Sequence, residues 1–266
     1  MIKDISVSLR WNTAIRHTYK EQELFGKEEK MYTFDSRVRY SEIDHTGNMT
    51  LPALINYFQD CSTFQSEDIG LGTEVLKAKK KAWILSYWQI VIERLPALGE
   101  RITAGTFATE FKGLYGNRNF VLDDARGNRL AYANSVWVFM DMEKGRPARP
   151  EPEDVLPYGS EPALEMEYED RKIRLPENLE EKPSFPVRKY HIDTNEHVNN
   201  CQYVQIVRLA REVLREETRV RQIRVEYKKS AVLGDVIFPK VAREENRIVT
   251  ELCDENGKPY AVIEIK

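Results

Sequence analysis

The stretch that decides the fold is residues 193–200, which read DTNEHVNN and stand directly before a helical apolar pattern. In an extended loop, side chains two residues apart share a face. Asp193, Asn195 and His197 are therefore expected to point the same way and to bring an acid, an amide and an imidazole together. The alternative is a capping loop, in which these side chains only satisfy backbone groups ahead of the helix.

An earlier part of the chain repeats this arrangement in degraded form. Residues 38–54 align with residues 187–203, and a helical apolar pattern follows the loop in each copy. The first copy keeps the acid but has Thr46 and Asn48 where the second has the amide and the imidazole. Because the first copy lacks a base, the sequence predicts one active centre per chain.

A set of strand-like segments follows each helical pattern, rich in Val, Ile, Phe, Tyr and Trp. Glycine-containing turns separate the last two segments of each set. A helix with one apolar face and a sheet with one apolar face bury each other, so we expect an α+β fold built from two tandem copies of a helix wrapped by an antiparallel sheet. The segments are 82–94, 101–112, 116–124 and 129–141 in the first copy, and 220–229, 235–243, 246–253 and 259–266 in the second.

Composition shifts along the chain predict four regions. Residues 1–30 are polar and are expected to be a disordered leader or an extension upstream of a native start at Met31. Residues 31–144 form the first helix-and-sheet unit, and residues 183–266 the second. Between them, residues 145–182 are rich in proline and acidic residues, which is typical of a surface linker.

The overall composition excludes several classes of function. A net charge of −3 over 266 residues gives no reason to expect a nucleic-acid partner. No apolar run reaches the roughly 20 residues needed to cross a bilayer. The three cysteines have neither metal-ligand spacing nor an even disulfide count, which favours reduced thiols in the cytoplasm. We expect no metal and no cofactor.

The motif resembles the signature of a known enzyme family. Residues 193–203 fit the pattern D-x-N-x-H-V-N-N-x-x-Y of acyl-acyl carrier protein thioesterases, which are double hot-dog enzymes of fatty acid synthesis. Residues 136–141 (VWVFMD) and 226–229 (EYKK) also resemble segments of that family, and the likeness runs from about Met31 to the C-terminus. The resemblance implies hydrolysis of fatty acyl-acyl carrier protein, with release of free fatty acid and termination of chain elongation.

The family's functional residues fall on Asp193, Asn195 and His197. His197 can act as a base near neutral pH and activate a water held by Asn195 or Ser230. Asp193 can orient the imidazole or attack the thioester carbonyl directly, and the sequence leaves both routes open. Plant members carry an acid and a cysteine where this chain has Ser230 and Ala231, so a cysteine nucleophile cannot operate there.

The resemblance also suggests that the first unit houses the acyl chain. Trp83, Tyr87 and Trp88 lie on or beside one predicted strand and are candidates for the lining of that site. An apolar lining stabilises the bound acyl chain by about 0.8 kcal/mol per buried methylene, so the depth of the pocket can select the length of the acyl chain. The same aromatic residues are equally consistent with an ordinary core.

The expected partner is acyl carrier protein with its fatty acyl-phosphopantetheine arm, and the chain is expected to be a monomer or a homodimer. Two alternatives remain: hydrolysis of acyl-CoA, and a non-catalytic acyl-thioester binding module. Basic residues that are candidates for docking the acidic carrier are Lys77, Lys79, Lys80, Lys81, Arg208, Arg211 and Arg215.

Overall fold

The computed structural model describes residues 31–213 and 220–266, and over 207–213 it describes the helical backbone. The expected leader, residues 1–30, lies outside the described residues, as do the side chains of the three candidate docking arginines. Residues 31–266 form one compact unit. None of the described helices is long and apolar enough to cross a membrane.

The first repeat begins with a short strand and a long helix and then forms a meander. Thr50 caps the long helix by accepting a hydrogen bond from the backbone N–H of Ala53, and Pro52 fits the first turn because its missing N–H is not needed there. The antiparallel strand order is β1-β3-β4-β5-β2. The elements are β1 (Tyr32–Arg37), α1 (Leu51–Asp68), α2 (Thr73–Ala78), β2 (Lys81–Ile92), β3 (Arg101–Lys112), β4 (Tyr115–Asp124) and β5 (Arg129–Asp141).

The linker region contains only short elements: β6 (Arg146–Pro147), α3 (Pro152–Val155) and β7 (Glu180–Glu181). It crosses the face of the sheet that points away from α1. The buried amide of Gln89 holds it by donating to the carbonyl of Glu167 and accepting from the N–H of Glu169. Proline and charge thus keep this segment irregular, while buried amides fix its path over the sheet.

The second repeat has the same order of elements as the first. It contains β8 (Phe185–Pro186), α4 (Asn200–Val213), β9 (Gln222–Tyr227), β10 (Val236–Arg243), β11 (Ile248–Cys253) and β12 (Pro259–Ile265). Its strand order, β9-β12-β11-β10, is that of the first repeat reversed. Strands β2 and β9 pair antiparallel, from Tyr87 opposite Glu226 to Val91 opposite Gln222, so both repeats share one twelve-stranded sheet.

The core lies between the helices and one face of this sheet. Leu54, Phe58 and Cys61 recur at helical spacing on α1 and are fully buried. Phe58 packs on Trp88 of β2 and Phe120 of β4, with ring centroids 6.0 and 5.3 Å away. One cluster of buried side chains runs through both repeats. The predicted α+β architecture, a long helix wrapped by an antiparallel sheet in each repeat, is confirmed.

Candidate active site

The loop ahead of α4 is held by its own backbone and by one carboxylate. The N–H of Asp193 donates to the carbonyl of His197 at 2.8 Å, and that of Glu196 donates to the carbonyl of Asp193 at 3.1 Å. Asp193 Oδ1 accepts from the N–H groups of Asn195 at 2.8 Å and His197 at 3.4 Å. Asp193 therefore shapes the loop that carries the other two candidate residues.

The first repeat contains the same loop and shows where its side chains meet. There the N–H of Asp44 donates to the carbonyl of Asn48 at 2.9 Å, and Asp44 Oδ1 accepts from the N–H of Thr46 at 2.9 Å. The side chains also form a chain, in which the Thr46 hydroxyl donates to Asp44 at 2.6 Å and Asn48 Nδ2 donates to Thr46 at 3.0 Å. Alternate positions of this loop thus lie within hydrogen-bond reach of one another.

The two loops differ in backbone cost at one position. Glu196 has φ = 62°, whereas the aligned residue of the first repeat is Gly47, with φ = 79°. A left-handed conformation costs a residue with a Cβ roughly 1–2 kcal/mol more than it costs glycine. The second repeat therefore keeps the tight loop, and with it the spacing of Asp193, Asn195 and His197, despite a local conformational cost. Among the described residues, the side-chain hydrogen bonds that join these three run from backbone N–H groups to the Asp193 carboxylate.

Residues 230–232 run alongside the loop. His197 pairs with Val232 as an isolated bridge, and the N–H of Val198 donates to the carbonyl of Ala231 at 2.9 Å. Ser230 directly precedes Ala231 in this segment, and it is exposed to solvent.

Helix α4 begins directly after the loop, with its N-terminus fixed from two sides. Asn199 Oδ1 accepts from the N–H of Cys201 at 3.0 Å, which makes Asn199 the N-cap, one of the two candidates expected from the sequence. The Tyr227 hydroxyl donates to the carbonyl of Asn200 at 3.1 Å. The positive end of the helix dipole lies two or three residues from His197, where it can stabilise a developing negative charge.

One contact at this helix start could not be read from the sequence. Gln59, on α1 of the first repeat, donates from Nε2 to Asn199 Oδ1 and accepts at Oε1 from Asn200 Nδ2, both at 3.3 Å. Gln59 is 140 residues away from Asn199 along the chain and belongs to no motif. The sequence carries no signal for it, because α1 has several other polar residues.

The three cysteines are in environments that make their thiols unreactive. Cys61, Cys201 and Cys253 are buried and unpaired. Burial raises the pKa of the Cys201 thiol to about 11 and that of Cys61 to about 12. Neither is a thiolate near neutral pH, so Cys201, although it lies at the start of α4, is a poor nucleophile.

His191 precedes the loop and has a different environment. Its Nδ1 accepts from the N–H of Arg188 at 3.0 Å. Burial, with a smaller contribution from the charge of Arg188, lowers the pKa of this imidazole. His191 is therefore neutral near pH 7 and serves the turn that leads into the loop. Across the described residues, no three His, Cys, Asp or Glu side chains cluster as a metal site.

The three candidate acyl-binding aromatics are not all on one face. Trp88 lies in the core beneath α1, 4.8 Å from Phe120 between ring centroids, and Trp83 packs on Phe139, also at 4.8 Å. Tyr87 is buried on the opposite face, the side covered by the linker, and its hydroxyl lies near the guanidinium of Arg224. The structure brings Trp83 and Trp88 to the helix side of β2 and does not bring Tyr87 there.

Three of the lysines considered for carrier docking form ion pairs with acidic residues of the same chain. Lys81 Nζ lies 2.8 Å and Lys79 Nζ 3.5 Å from the carboxylate of Asp154, which is fully buried. Lys80 pairs with Glu143. The pairs with Asp154 fasten α3 of the linker to the start of β2, which gives Lys79 and Lys81 a structural role.

A cleft of about 310 Å³ opens between the linker and the face of the sheet that points away from the helices. None of the candidate catalytic residues lines it, so it is separate from the loop chemistry. Its lining residues are Thr109, Glu110, Asn117, Asn134, Glu161, Pro162, Ala163 and Tyr168.

The chain is similar to acyl-ACP thioesterases over most of its length. The family model for the acyl-ACP thioesterase N-terminal domain matches residues 29–158, and that for the C-terminal domain matches residues 176–266. A chloroplastic acyl-[acyl-carrier-protein] hydrolase of Cuphea viscosissima is 25% identical over 85% of this chain and 59% of its own length. A chloroplastic oleoyl-acyl carrier protein thioesterase of Arabidopsis thaliana is 22% identical over 83% of this chain and 65% of its own. The chain thus spans less than two thirds of the length of these curated relatives.

Solved structures share the fold over nearly the whole described chain. An acyl-ACP thioesterase from Bacteroides thetaiotaomicron aligns with a TM-score of 0.81 at 23% identity, covering 91% of this chain and 99% of that one. A putative oleoyl thioesterase from Lactobacillus plantarum aligns with a TM-score of 0.78 at 26% identity, covering 90% and 96%. Since the two family models together match most of its residues, the chain belongs to the acyl-acyl carrier protein thioesterase family.

Proposed function

We propose that this chain hydrolyses fatty acyl-acyl carrier protein thioesters, releasing free fatty acid and so ending chain elongation in fatty acid synthesis. The observation that carries the proposal is the loop that ends at α4. It has the same hydrogen-bonded backbone as the loop of the first repeat, yet it carries an imidazole, His197, where the first loop has Asn48, beside the N-terminus of a fourteen-residue helix. A base next to an oxyanion-stabilising helix end is what thioester hydrolysis requires.

In the proposed mechanism His197 removes a proton from water as the water oxygen attacks the thioester carbonyl. Asn195 and Ser230 hold that water. The oxyanion forms at the N-terminus of α4, against a backbone N–H that Asn199 does not accept from and the positive end of the helix dipole, and His197 then returns its proton to the departing phosphopantetheine thiolate. Donors of this kind are worth roughly 3–4 kcal/mol in the barrier.

Asp193 has the role of orienting group in this proposal. Its Oδ1 already accepts two backbone N–H groups, and hydrogen bonds to a carboxylate stabilise its charge and make it a weaker nucleophile. That favours activated water over direct attack by Asp193. Ser230 contributes a hydroxyl where plant members carry an acid. In this chain the three loop residues are therefore proposed to carry out catalysis.

The acyl chain is assigned to the first repeat, beneath α1. Trp83 and Trp88 line that side of β2 and are the proposed acyl-binding residues. Tyr87, on the other face, is left out of the site. The regions proposed for these roles are residues 31–144 for acyl binding and 183–266 for catalysis, joined by the linker 145–182.

The proposed partner is acyl carrier protein. This chain is proposed to act in the cytoplasm, as a monomer or a homodimer. The three unpaired cysteines support a reducing compartment. A single chain contains both repeats and the sheet that they share, which supports a monomer as the minimal unit. Light scattering on the purified protein measures the oligomeric state directly.

A panel of saturated acyl groups of graded length, each on acyl carrier protein and on CoA, tests the function by release of free thiol. We expect turnover with a higher kcat/KM on the carrier protein. A higher value on CoA would instead identify an acyl-CoA thioesterase. Saturable acyl binding without thiol release would identify a binding module and would overturn the proposal.

A further inference from the structure

The start of the catalytic helix is tied to the other repeat through a cluster of side-chain amides. Gln59 Nε2 donates to Asn199 Oδ1 and to Asn56 Oδ1, and Gln59 Oε1 accepts from Asn200 Nδ2, each at 3.3 Å. Both N–H groups of the Gln59 amide and its oxygen are thus used. This cluster joins α1, a helix of the first repeat, to the two residues that open α4.

The atom that Gln59 contacts already has a defined task. Asn199 Oδ1 is the N-cap acceptor for the N–H of Cys201. Asn199 also fixes the loop, since its own N–H donates to the carbonyl of His191 at 2.9 Å. The residue held by Gln59 therefore sets both the direction of the first helical turn and the end of the loop, two positions after His197.

Placement of this turn matters because oxyanion stabilisation depends on the fixed aim of N–H donors. A displacement of about 1 Å by a residue that never touches the substrate can cost on the order of a hundredfold in rate. From the C-terminal repeat, β9 holds the turn at the Asn200 carbonyl through Tyr227. From the first repeat, the described hydrogen bonds to Asn199 and Asn200 come from Gln59.

We propose that Gln59 is a positioning residue for the thioesterase reaction: through this amide the first repeat aims the N-terminal turn of α4 at the developing oxyanion. The first repeat then takes part in catalysis as well as in acyl binding. This inference rests on the proposed function and deepens it.

Two substitutions separate positioning from mere support of the fold. Gln59→Ala removes all three hydrogen bonds. Gln59→Glu has nearly the same shape and places a negative charge at the N-terminus of α4, which the helix dipole stabilises. The same charge opposes an oxyanion at that helix end. Gln59→Glu is therefore expected to keep the fold and lose rate. Thr63→Ala is the matched control, because Thr63 is exposed one turn further along α1.

The experiment measures kcat, KM and the thermal midpoint of the full chain, with the best substrate from the graded acyl carrier protein panel. We expect Gln59→Ala to lower kcat about tenfold, below the effect of deleting a direct oxyanion donor, with KM changed by less than about twofold. Its midpoint should fall by no more than about 10 °C, as for three neutral hydrogen bonds of about 1 kcal/mol each. Gln59→Glu keeps the acceptor for Asn200 Nδ2 but loses the two donations from Nε2, so it should lose at least as much kcat with a midpoint no lower than that of Gln59→Ala, and Thr63→Ala should match wild type.

The inference is overturned if Gln59→Glu keeps wild-type kcat, whether or not Gln59→Ala is folded. It is equally overturned if kcat falls only in proportion to a falling midpoint. A wild-type chain that releases no thiol from any substrate of the panel would count against the proposed function itself, before any variant is compared.

Discussion

Glu264 on β12 is a buried acid whose removal should destabilise the fold measurably. It is 1% exposed, and it accepts from Arg224 Nε at 2.8 Å through one oxygen and from Arg247 Nη1 at 2.7 Å through the other. Arg224 is itself only 5% exposed. Glu264→Ala leaves this guanidinium buried without its main anion.

The size of the effect follows from the distances. A charge pair at 2.8 Å interacts by about 6 kcal/mol at an effective dielectric constant of 20, and desolvation of both groups offsets part of this. Breaking a buried pair by removing one partner usually costs about 3–5 kcal/mol. Arg224 keeps Glu169 at 3.4 Å and the carbonyl of Asp170 at 2.9 Å, so we expect the lower end of that range, about 3 kcal/mol.

Urea unfolding at pH 7 with linear extrapolation measures this free energy, and Glu143→Ala, in the exposed pair with Lys80, is the control that should leave the midpoint unchanged. The double variant Arg224→Leu with Glu264→Leu should recover to within about 1–2 kcal/mol of wild type, because no buried charge is then stranded. A loss below about 1 kcal/mol for Glu264→Ala would refute the reasoning.

The same pair predicts a dependence on pH. Burial opposes ionisation of Glu264, but the hydrogen bonds from Arg224 and Arg247 outweigh it and hold its pKa below the ordinary value. The stabilisation is therefore fully present above the unfolded pKa of about 4.3 and is lost as pH falls through the folded pKa. The free-energy gap between wild type and Glu264→Gln should shrink steadily below about pH 4, and a constant gap would contradict this assignment.

Three further substitutions follow from the site and the core. Asp193→Ala removes the acceptor for two loop N–H groups and should lower kcat at least a hundredfold in the thiol-release assay, as for misplacement of the base by about 1 Å. Cys201→Ala should retain kcat to within about twofold, because a thiol with a pKa of about 11 is protonated at working pH; a large loss would argue for a cysteine nucleophile. In urea unfolding, Trp88→Ala should cost about 3–5 kcal/mol, whereas Trp88→Phe should cost under about 2 kcal/mol, since the indole Nε1 has no acceptor among the described residues.

The repeat, the loop and the helix start were predictable because each depends on residues close together in sequence. The spacing of Asp193, Asn195 and His197 defines one hydrogen-bonded turn, and the aligned turn at Asp44 confirms that the pattern is a structural unit. The N-cap at Asn199 follows from local backbone chemistry in the same way.

The facing of the aromatics on β2 was not predictable from alternation. Strict alternation puts Trp83 and Tyr87 on one face and Trp88 on the other. A bulge between Leu85 and Tyr87 inserts one residue, so Trp88 turns to the helix side with Trp83 and Tyr87 turns away. A bulge depends on pairing with β5 and has no local signature here.

Long-range polar contacts were also beyond reach of the sequence. Gln59 meets Asn199 only because β2 and β9 join the two repeats and bring α1 against α4. The pairing of Lys79 and Lys81 with buried Asp154 likewise depends on where the linker lies. Such contacts are set by tertiary packing, which single-chain periodicity does not encode.

The most direct measurement is single-turnover thiol release by His197→Ala, with binding of the same acyl carrier protein substrate measured in parallel. If His197 is the base, the rate should fall by about 10²–10⁴-fold while substrate affinity stays within about threefold of wild type. A variant that releases thiol at a rate within tenfold of wild type would show that the imidazole ahead of α4 does not carry the reaction.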